Sequence, residues 1–538
     1  MSATATPPVV EYSMDELRKY VEHAGELGLP ERERDALGAV VEFHAYLVSE
    51  IGDQQATIDR LRQLVFGAQT ETKENVRRRA GKPPAAKPPD GQEKRKKKGH
   101  GRIPAEAYVG AEKVKTSHES LKPGDSCPQE GCQGKVYARK PQQLVRIRGS
   151  APFLATVYEQ ERLRCNLCGE RFDAQPPPGI GEEKYDETVA SMVGMLRYGS
   201  GAPMNRIEEL QQLVGVPFPA SVQWELVRDA ADQVKPAHGE LIRQAAQGSL
   251  LYNDDTTMRI LDVLVEQRKR KERGEPPPKR TGTFTSGIVS ELSGGRRIVL
   301  YFTGQRHAGE NLAQVLAERA EGLDPPIQMC DGLDRNLPGE IRTILSSCLV
   351  HGRRQFVDLV ASFPGEVEHV VDELSIVYQN DERAKTAGMS AEERLRLHQE
   401  QSGPVMDRLK AWMEALLSDK KVEPNSGLGK AIRYVRKRWD RLTLFLRKAG
   451  APLDNSLTER MLKRAILHRK NSLFYKTQNG ADVGDIFMSL IATAKLAEAN
   501  PFDYLNELQR HAEEVRANPS DWMPWNYRVT LERAARPD

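Results

Sequence analysis

Cysteine is scarce in this sequence. Six cysteines in 538 residues cannot staple a chain of this size, which excludes a disulfide scaffold. Long apolar runs are missing too. The longest, Ile486 to Ala494, is about half of the ~18 residues that a membrane span needs, so no segment is expected to cross a bilayer. Met1 to Val10 has no basic region followed by an apolar one, so no secretory signal is expected and the chain reads as cytoplasmic. Net charge is nearly absent at +3, but that small figure hides an uneven distribution. Between Lys73 and Arg102 stand twelve Lys or Arg against three Asp or Glu, so one segment makes the protein basic. Lys-Pro-Pro and Pro-Pro-Asp steps around Lys94-Arg95-Lys96-Lys97-Lys98 cannot continue a helix. The segment is therefore an extended, solvated polycation, either a solubilising linker or a tether for phosphates.

The chain is ordinary in other respects. With 39% hydrophobic and 29% charged residues and a mean hydropathy of -0.59, it is expected to fold as a soluble protein. At 60.3 kDa it is expected to contain three or more units. Four of the six cysteines fall in two close pairs, Cys127 with Cys132 and Cys165 with Cys168, each followed by a glycine within two residues. Two such knuckles supply the four thiolates of a tetrahedral structural zinc site. The stretches Leu144 to Arg148 and Ala155 to Tyr158 between them have the β-branched look of short strands. Cys330 and Cys348 are isolated and read as core residues.

Val40, Leu47, Ile51, Ile58, Leu61 and Val65 recur at heptad steps, a short seam that either pairs chains or packs on another domain. From Tyr185 to Lys235, two apolar-periodic segments flank Gly215 to Pro219, the pattern of a helix-turn-helix whose second helix opens near Trp224. The texture changes at Leu250. Leu250 to Leu261 is a strand pattern with Asp254 and Asp255 at its centre, and Thr283 to Gly304 reads as two strands turning at Ser293-Gly294-Gly295. A helix from Glu310 to Glu321 and a short buried strand, Pro326 to Gly332, ending in Asp331, follow. Leu345 to Leu359 leads Cys348, His351, Arg353 and Arg354 into another helix.

Three strands, a helix and a strand ending in an acid is the order of an RNase H-like (α/β) fold. Acids in apolar strands are costly unless a cation satisfies them. Asn455 or Ser456 is expected to cap a helix carrying Glu459, with Arg460, Lys463, Arg464, Arg469 and Lys470 along it. Three carboxylates around two Mg²⁺ or Mn²⁺ ions are the apparatus for in-line displacement at a phosphodiester, and the basic face beside them suits a nucleic-acid backbone. His351 reads equally as a ligand-orienting group or a core histidine.

These residues resemble those of a DDE transposase of the insertion sequence 66 family over nearly the whole length. The likeness rests on Leu61-Arg62-Gln63-Leu64-Val65-Phe66-Gly67, Gly99-His100-Gly101-Arg102, the paired cysteines, and Cys348-Leu349-Val350-His351-Gly352-Arg353-Arg354. It continues through Asp454-Asn455 to Glu459-Arg460, Arg469 to Phe474, and Trp522-Met523-Pro524-Trp525-Asn526-Tyr527. The resemblance implies a catalytic, metal-binding triad of Asp254, Asp331 and Glu459, with a helical insertion between the second and third acids. Two departures stand out: the family's Asp-Glu-Thr is here Asp254-Asp255-Thr256, and the first cysteine pair is wider than expected. Adjacent strand residues point to opposite faces, so only one of the two aspartates can serve the site, and register selects Asp254.

The expected organisation is multidomain α+β. It comprises an N-terminal helical or coiled-coil region (1–72), a basic Pro-rich linker (73–104), a zinc-binding domain (105–180) and a helix-turn-helix-like region (181–248). The catalytic core then comes in two parts (249–365 and 451–500) around the helical insertion (366–450), before a C-terminal tail (501–538). The basic stretch Gln267 to Arg280, inserted between the first two strands, is either a DNA-contacting or a solvated loop. The expected DNA contacts are Lys94 to Lys98, Arg102, Arg353, Arg354, Arg460, Lys463, Arg464, Arg469 and Lys470. The expected function is binding of terminal inverted repeats, metal-dependent strand cleavage and joining to target DNA. It is expected to proceed in a homo-oligomer on the bacterial nucleoid, with small companion proteins of the same element. A nuclease that does not join, and an inactive DNA-binding descendant, are the alternatives.

Overall fold

A computed structural model describes residues 14–42 except 27, 113, 120–138 except 131, 150–164, 171–178 except 176, and 183–535 except 277 and 279. The heptad positions beyond 42, the basic linker with Lys94 to Lys98 and Arg102, Cys165 and Cys168, and the expected strand 144–148 lie outside these residues. The chain divides into two compact units, Ala86–Leu154 and the remainder.

In the smaller unit, Ser126 and Lys135 form an antiparallel bridge around the first cysteine pair. In the larger unit, β1 (Arg162–Arg164) pairs antiparallel with β2 (Arg171–Asp173). Residues 155–158, expected as a strand, form none: Val157 and Tyr158 are exposed, so no apolar face is buried that would hold the stretch in a sheet.

The core of the larger unit is a five-stranded sheet in the order β5-β4-β3-β6-β7, formed by β3 (Leu250–Thr257), β4 (Phe284–Glu291), β5 (Arg297–Gly304), β6 (Ile327–Cys330) and β7 (Ile344–Ser347). β3, β4 and β5 run antiparallel, whereas β6 and β7 run parallel to β3. The β4–β5 turn carries Gly294 and Gly295 at φ +83° and +80°, a left-handed conformation that glycine adopts without a Cβ penalty. Sequence reading missed β7, which is only four residues long and runs straight into the helix Leu349–Val357. The region after β3 is also more regular than expected. It opens with a helix, Leu261–Glu272, none of whose residues is buried.

The two faces of β3 have different neighbours. Asp254 pairs with Gly287, which pairs with Tyr301, and this row faces the helix Ser456–Ser472. A Cβ on Gly287 would stand 3.0 Å from a Leu462 methyl, so the glycine lets that helix lie close to the sheet. Asp255 and Ser286 face the helix Ala308–Leu316 instead, where Asn311 donates to the Ser286 hydroxyl. The outer edge of β5 is closed by the helix Gln478–Leu496. Thr493, Ser489 and Asp485, spaced four residues apart, accept from the backbone N–H groups of Val299, Tyr301 and Thr303. A helix thus satisfies an edge that would otherwise recruit another strand.

The pair expected as a helix-turn-helix is Met204–Leu213 and the 26-residue Ala220–Ala245. The second helix buries Val227, Ala231, Val234 and Leu241 in the body of the unit, against the helices Glu187–Gly194, Gln478–Leu496 and Pro501–Arg510. Its first turns keep Ser221, Glu225 and Arg228 exposed. The region between Asp331 and Glu459 is helical, with Pro364–Thr386, Ala391–Leu397, Gly403–Ser418 and Gly427–Lys437 as its main elements. At its heart Asp381, 5% exposed, is ringed by Lys385, Arg394 and the fully buried His398. No described helix is long and apolar enough to cross a membrane.

Candidate functional site

Three acids from three segments lie toward the C-terminal side of β3, near enough for the charges of Asp331 and Glu459 to act on Asp254, although among the described residues no three His, Cys, Asp or Glu side chains converge on one metal position. Asp254 comes from mid-strand, Asp331 follows the last residue of β6, and Glu459 sits in the first turn of the helix Ser456–Ser472. Parallel pairing of β3 with β6 brings the first two to one end of the sheet. The close approach of the helix at Gly287 brings the third.

Electrostatics records their proximity. Burial raises the Asp254 carboxyl from an ordinary 3.8 to about 7; a hydrogen bond from the Asp255 amide opposes the rise, and the charges of Asp331, Asp255 and Glu459 add to it. The neighbouring Asp255 is spoken for elsewhere. Its carboxylate, 2% exposed, lies 2.9 Å from His307 Nδ1 and 3.4 Å from an Arg335 guanidinium nitrogen.

Asp331 is held in one orientation. Its Oδ1 accepts from the Leu333 amide at 2.9 Å and from Asn336 Nδ2 at 2.6 Å. Beneath it lies a buried amide network that no motif signals. Asn253 Nδ2 and Gln328 Nε2 both donate to the Asn336 carbonyl at 2.7 Å, Gln328 Nε2 also donates to Asn253 Oδ1 at 2.9 Å, and Thr343 donates to Gln328 Oε1 at 2.8 Å. Asn455 Nδ2 donates to the Asn253 carbonyl at 3.1 Å, linking the third-acid helix to β3. Asn455 is therefore turned inward and does not cap that helix with its side chain; Asp454 accepts from the Ser456 amide instead. The sequence did contain a trace of this network: Gln328 is an uncharged polar residue inside an otherwise apolar strand. Buried amides rigidify what they join only when their donors are satisfied, and here most are.

His351 Nε2 lies 3.9 Å from Glu459 Oε1. Arg353 and Arg354, on the same helix as His351, are half-buried. On the third-acid helix Arg460, Lys463 and Lys470 are exposed, at spacings that place them along one face, while Arg464 is half-buried. Arg469 is turned onto the end of β3 and donates to the Thr256 hydroxyl and to the Thr257 hydroxyl and carbonyl. Beyond the expected residues, Tyr434 on the helix Gly427–Lys437 donates to the Asp331 carbonyl at 3.2 Å. Arg438 stacks 4.0 Å above the Tyr434 ring. No spacing in the sequence ties either residue to Asp331, because the contact spans about a hundred positions.

In the smaller unit Cys127 and Cys132 are free thiols. The Gly134 amide and then the Cys127 thiol hold the Cys132 thiol below its ordinary value. The Cys127 amide donates to the Gly134 carbonyl beside the Ser126–Lys135 bridge, and the Cys132 amide closes a turn onto the Gln129 carbonyl. Among the described residues no three His, Cys, Asp or Glu side chains stand as a shell around one metal position.

A model described as the transposase IS66 family matches residues 183–483, a span that holds all three acids and the helical region between them. The chain belongs to that family. Relatives of this family member include three uncharacterized proteins of Sinorhizobium fredii (strain NBRC 101917 / NGR234). Protein y4jD is 34% identical over 189 residues, which cover 34% of this chain and 36% of that protein. Protein y4hP is 24% identical over 426 residues, covering 74% and 73%. Protein y4qI is 25% identical over 364 residues, covering 64% and 62%.

Proposed function

We propose that this IS66-family protein is a DNA transposase. It binds the terminal inverted repeats of its element and carries out metal-dependent strand cleavage and transfer with Asp254, Asp331 and Glu459. The observation that carries this reading is a desolvated Asp254 whose carboxyl is pushed further up by the charges of Asp331 and Glu459. A protein keeps such repulsion where a ligand relieves it. The sheet order β5-β4-β3-β6-β7, with three antiparallel strands followed by two parallel ones, supports an RNase H-like core.

Carboxylate oxygen is the donor type that divalent cations take. Mg²⁺ is commonly held by one or two carboxylates together with substrate phosphates, so two ions shared among three acids need no closed protein shell. When bound, two Mg²⁺ or Mn²⁺ ions supply activation of the attacking water or 3′-hydroxyl and stabilisation of the leaving oxygen. The protein's own part is positioning. Leu333 and Asn336 aim one oxygen of Asp331, the Asn253–Gln328–Asn336–Asn455 network fixes the three segments relative to each other, and His351 stands by Glu459.

DNA recognition is assigned to several parts. Arg460, Lys463 and Lys470, with Arg353, Arg354, Arg464, Arg469, Lys94 to Lys98 and Arg102, hold the phosphate backbone. The helix pair 204–245 reads the repeat ends. Cys127, Cys132, Cys165 and Cys168 hold a structural Zn²⁺; the adjacent thiols of the first pair, one of them with a lowered pKa, suit two of its four ligands. A homo-oligomer, with companion proteins of the same element, brings the two ends together.

The test is an assay on linear duplex DNA carrying the element's ends, with Mg²⁺ or Mn²⁺. Nicked and joined products are expected. Nicking without joining would replace transposase by nuclease, and binding without cutting, even with the companion proteins added, would replace it by an inactive descendant.

A further inference from the structure

We propose that Arg438, steadied by Tyr434 and assisted by Ser347, forms a phosphate subsite beside Asp331, supplied by the helical insertion, that grips the scissile phosphate of the DNA strand. The proposal rests on the DNA-cleavage reading above and adds a residue outside the acid triad.

Arg438 differs from Arg335, Arg394 and Arg469, whose guanidinium groups are engaged. Arg335 pairs with Asp255, Arg394 with Asp381, and Arg469 with the end of β3. Among the described residues the Arg438 guanidinium has no hydrogen-bonding or ion-pair partner, although the residue is half-buried; its one contact of note is the Tyr434 ring. A guanidinium stacked on an aromatic face keeps its charge and all five N–H donors while losing orientational freedom. That is the state of a cation prepared for an anion that arrives later. The Tyr434 hydroxyl, bonded to the Asp331 carbonyl, fixes where the stack sits relative to the second acid.

A second donor faces the same place. Ser347, the last residue of β7, is 2% exposed and its buried hydroxyl has no partner. A Cβ on Gly332 would lie 3.2 Å from both Arg438 Nε and the Ser347 hydroxyl oxygen, so both donors border one side of the residue that follows Asp331. Gly332 sits at φ +81°, where a side chain is disfavoured, and its lack of a Cβ keeps that approach open. Among the described residues no carboxylate pairs with the Arg438 guanidinium, and Asp331 Oδ1 is taken by Leu333 and Asn336. Two uncommitted donors beside three acids call for an anion that arrives together with divalent cations. A phosphodiester meets that description, and the planar fork of arginine matches two of its oxygens.

The experiment is single-turnover cleavage by the full-length protein on duplex ends with either a normal scissile phosphate or one methylphosphonate, which replaces a charged oxygen by a methyl group. Native protein, Arg438→Gln, Arg438→Lys and Asp331→Ala are compared, with DNA affinity and melting temperature measured for each. Arg438→Gln is expected to slow cleavage about 10²–10³-fold, as removal of one preorganised donor does, with DNA affinity and melting temperature nearly unchanged. Arg438→Lys should recover part of the rate. The methylphosphonate should slow the native protein strongly and Arg438→Gln by little more. Equal slowing of both proteins by the methylphosphonate, or native cleavage rates in Arg438→Gln, would make Arg438 a structural cation and overturn the subsite. A native protein that does not cut at all, even with the companion proteins added, overturns the transposase reading and this inference with it.

Discussion

Replacing Asp254 by asparagine should stabilise the metal-free protein while destroying its activity. The carboxyl titrates at about 7 in the fold against 3.8 ordinarily, because it is buried and faces Asp331 and Glu459. An acid raised in this way is stabilising to the fold only while protonated. Its contribution is fully present below about pH 4, declines as pH rises, and is lost once pH passes about 7. At about 1.4 kcal/mol per pH step, the native protein is handicapped by about 2 kcal/mol near pH 5.5 and by about 4 kcal/mol at pH 8 and above. Asparagine has the same shape, carries no charge, and its carbonyl still accepts from the Asp255 amide, as Asp254 Oδ1 does at 2.8 Å. Thermal melting of both proteins in chelator, from pH 5 to 9, should show an advantage for Asp254→Asn that grows with pH and levels off above 7. At roughly 1–2 °C per kcal/mol for a unit of this size, the gap at pH 8 is a few degrees. Millimolar Mg²⁺ should raise the native melting temperature and leave the variant's almost unmoved, since a ligand stabilises only the state that binds it. An advantage that does not depend on pH, or a variant less stable than native at pH 8, would refute the crowding of the acids.

Three further outcomes follow from other parts of the molecule. Asp381→Ala leaves Lys385, Arg394 and the buried His398 facing one another and should cost about 3–5 kcal/mol, read by denaturant unfolding. Hydrogen bonds from His398 and Lys385 and the Arg394 charge hold the Asp381 carboxyl below its ordinary value despite its burial, so its contribution should be lost as pH falls through the acid range. Ser489→Ala removes the acceptor of the Tyr301 amide on the sheet edge and should cost about 1–3 kcal/mol, with faster hydrogen exchange at Tyr301. Asp485→Asn, by contrast, should be nearly silent at pH 7, because burial raises that carboxyl to about 8 and keeps it largely neutral. Lys463→Ala and Lys470→Ala should weaken DNA binding alike for all sequences. Each should reduce the salt slope of the affinity by about 0.9.

What could be read from the sequence was what local pattern controls. The strand pattern in 250–257, the Gly294-Gly295 turn and the short apolar run ending at Asp331 are each set by neighbours in the chain, and each appears as an element of the sheet. Strand β7 was not legible, because four residues flowing into a helix carry too few turns of either period. Asn455 misled for a similar reason. Its residue type favours a cap, but the tertiary bond to Asn253 claims its side chain. The acids announced themselves by being charged within apolar strands. Arg438 and Tyr434 did not, since their relation to Asp331 is made only when the insertion folds back onto the sheet.

The most direct measurement is cleavage and strand transfer on linear DNA bearing the element's ends, with Mg²⁺ or Mn²⁺, comparing the native protein with Asp331→Ala. Metal-dependent nicks and joined products that vanish in Asp331→Ala, while DNA binding persists, are the predicted result. Nicked and joined products that survive in Asp331→Ala would contradict the assignment of the chemistry to the three acids.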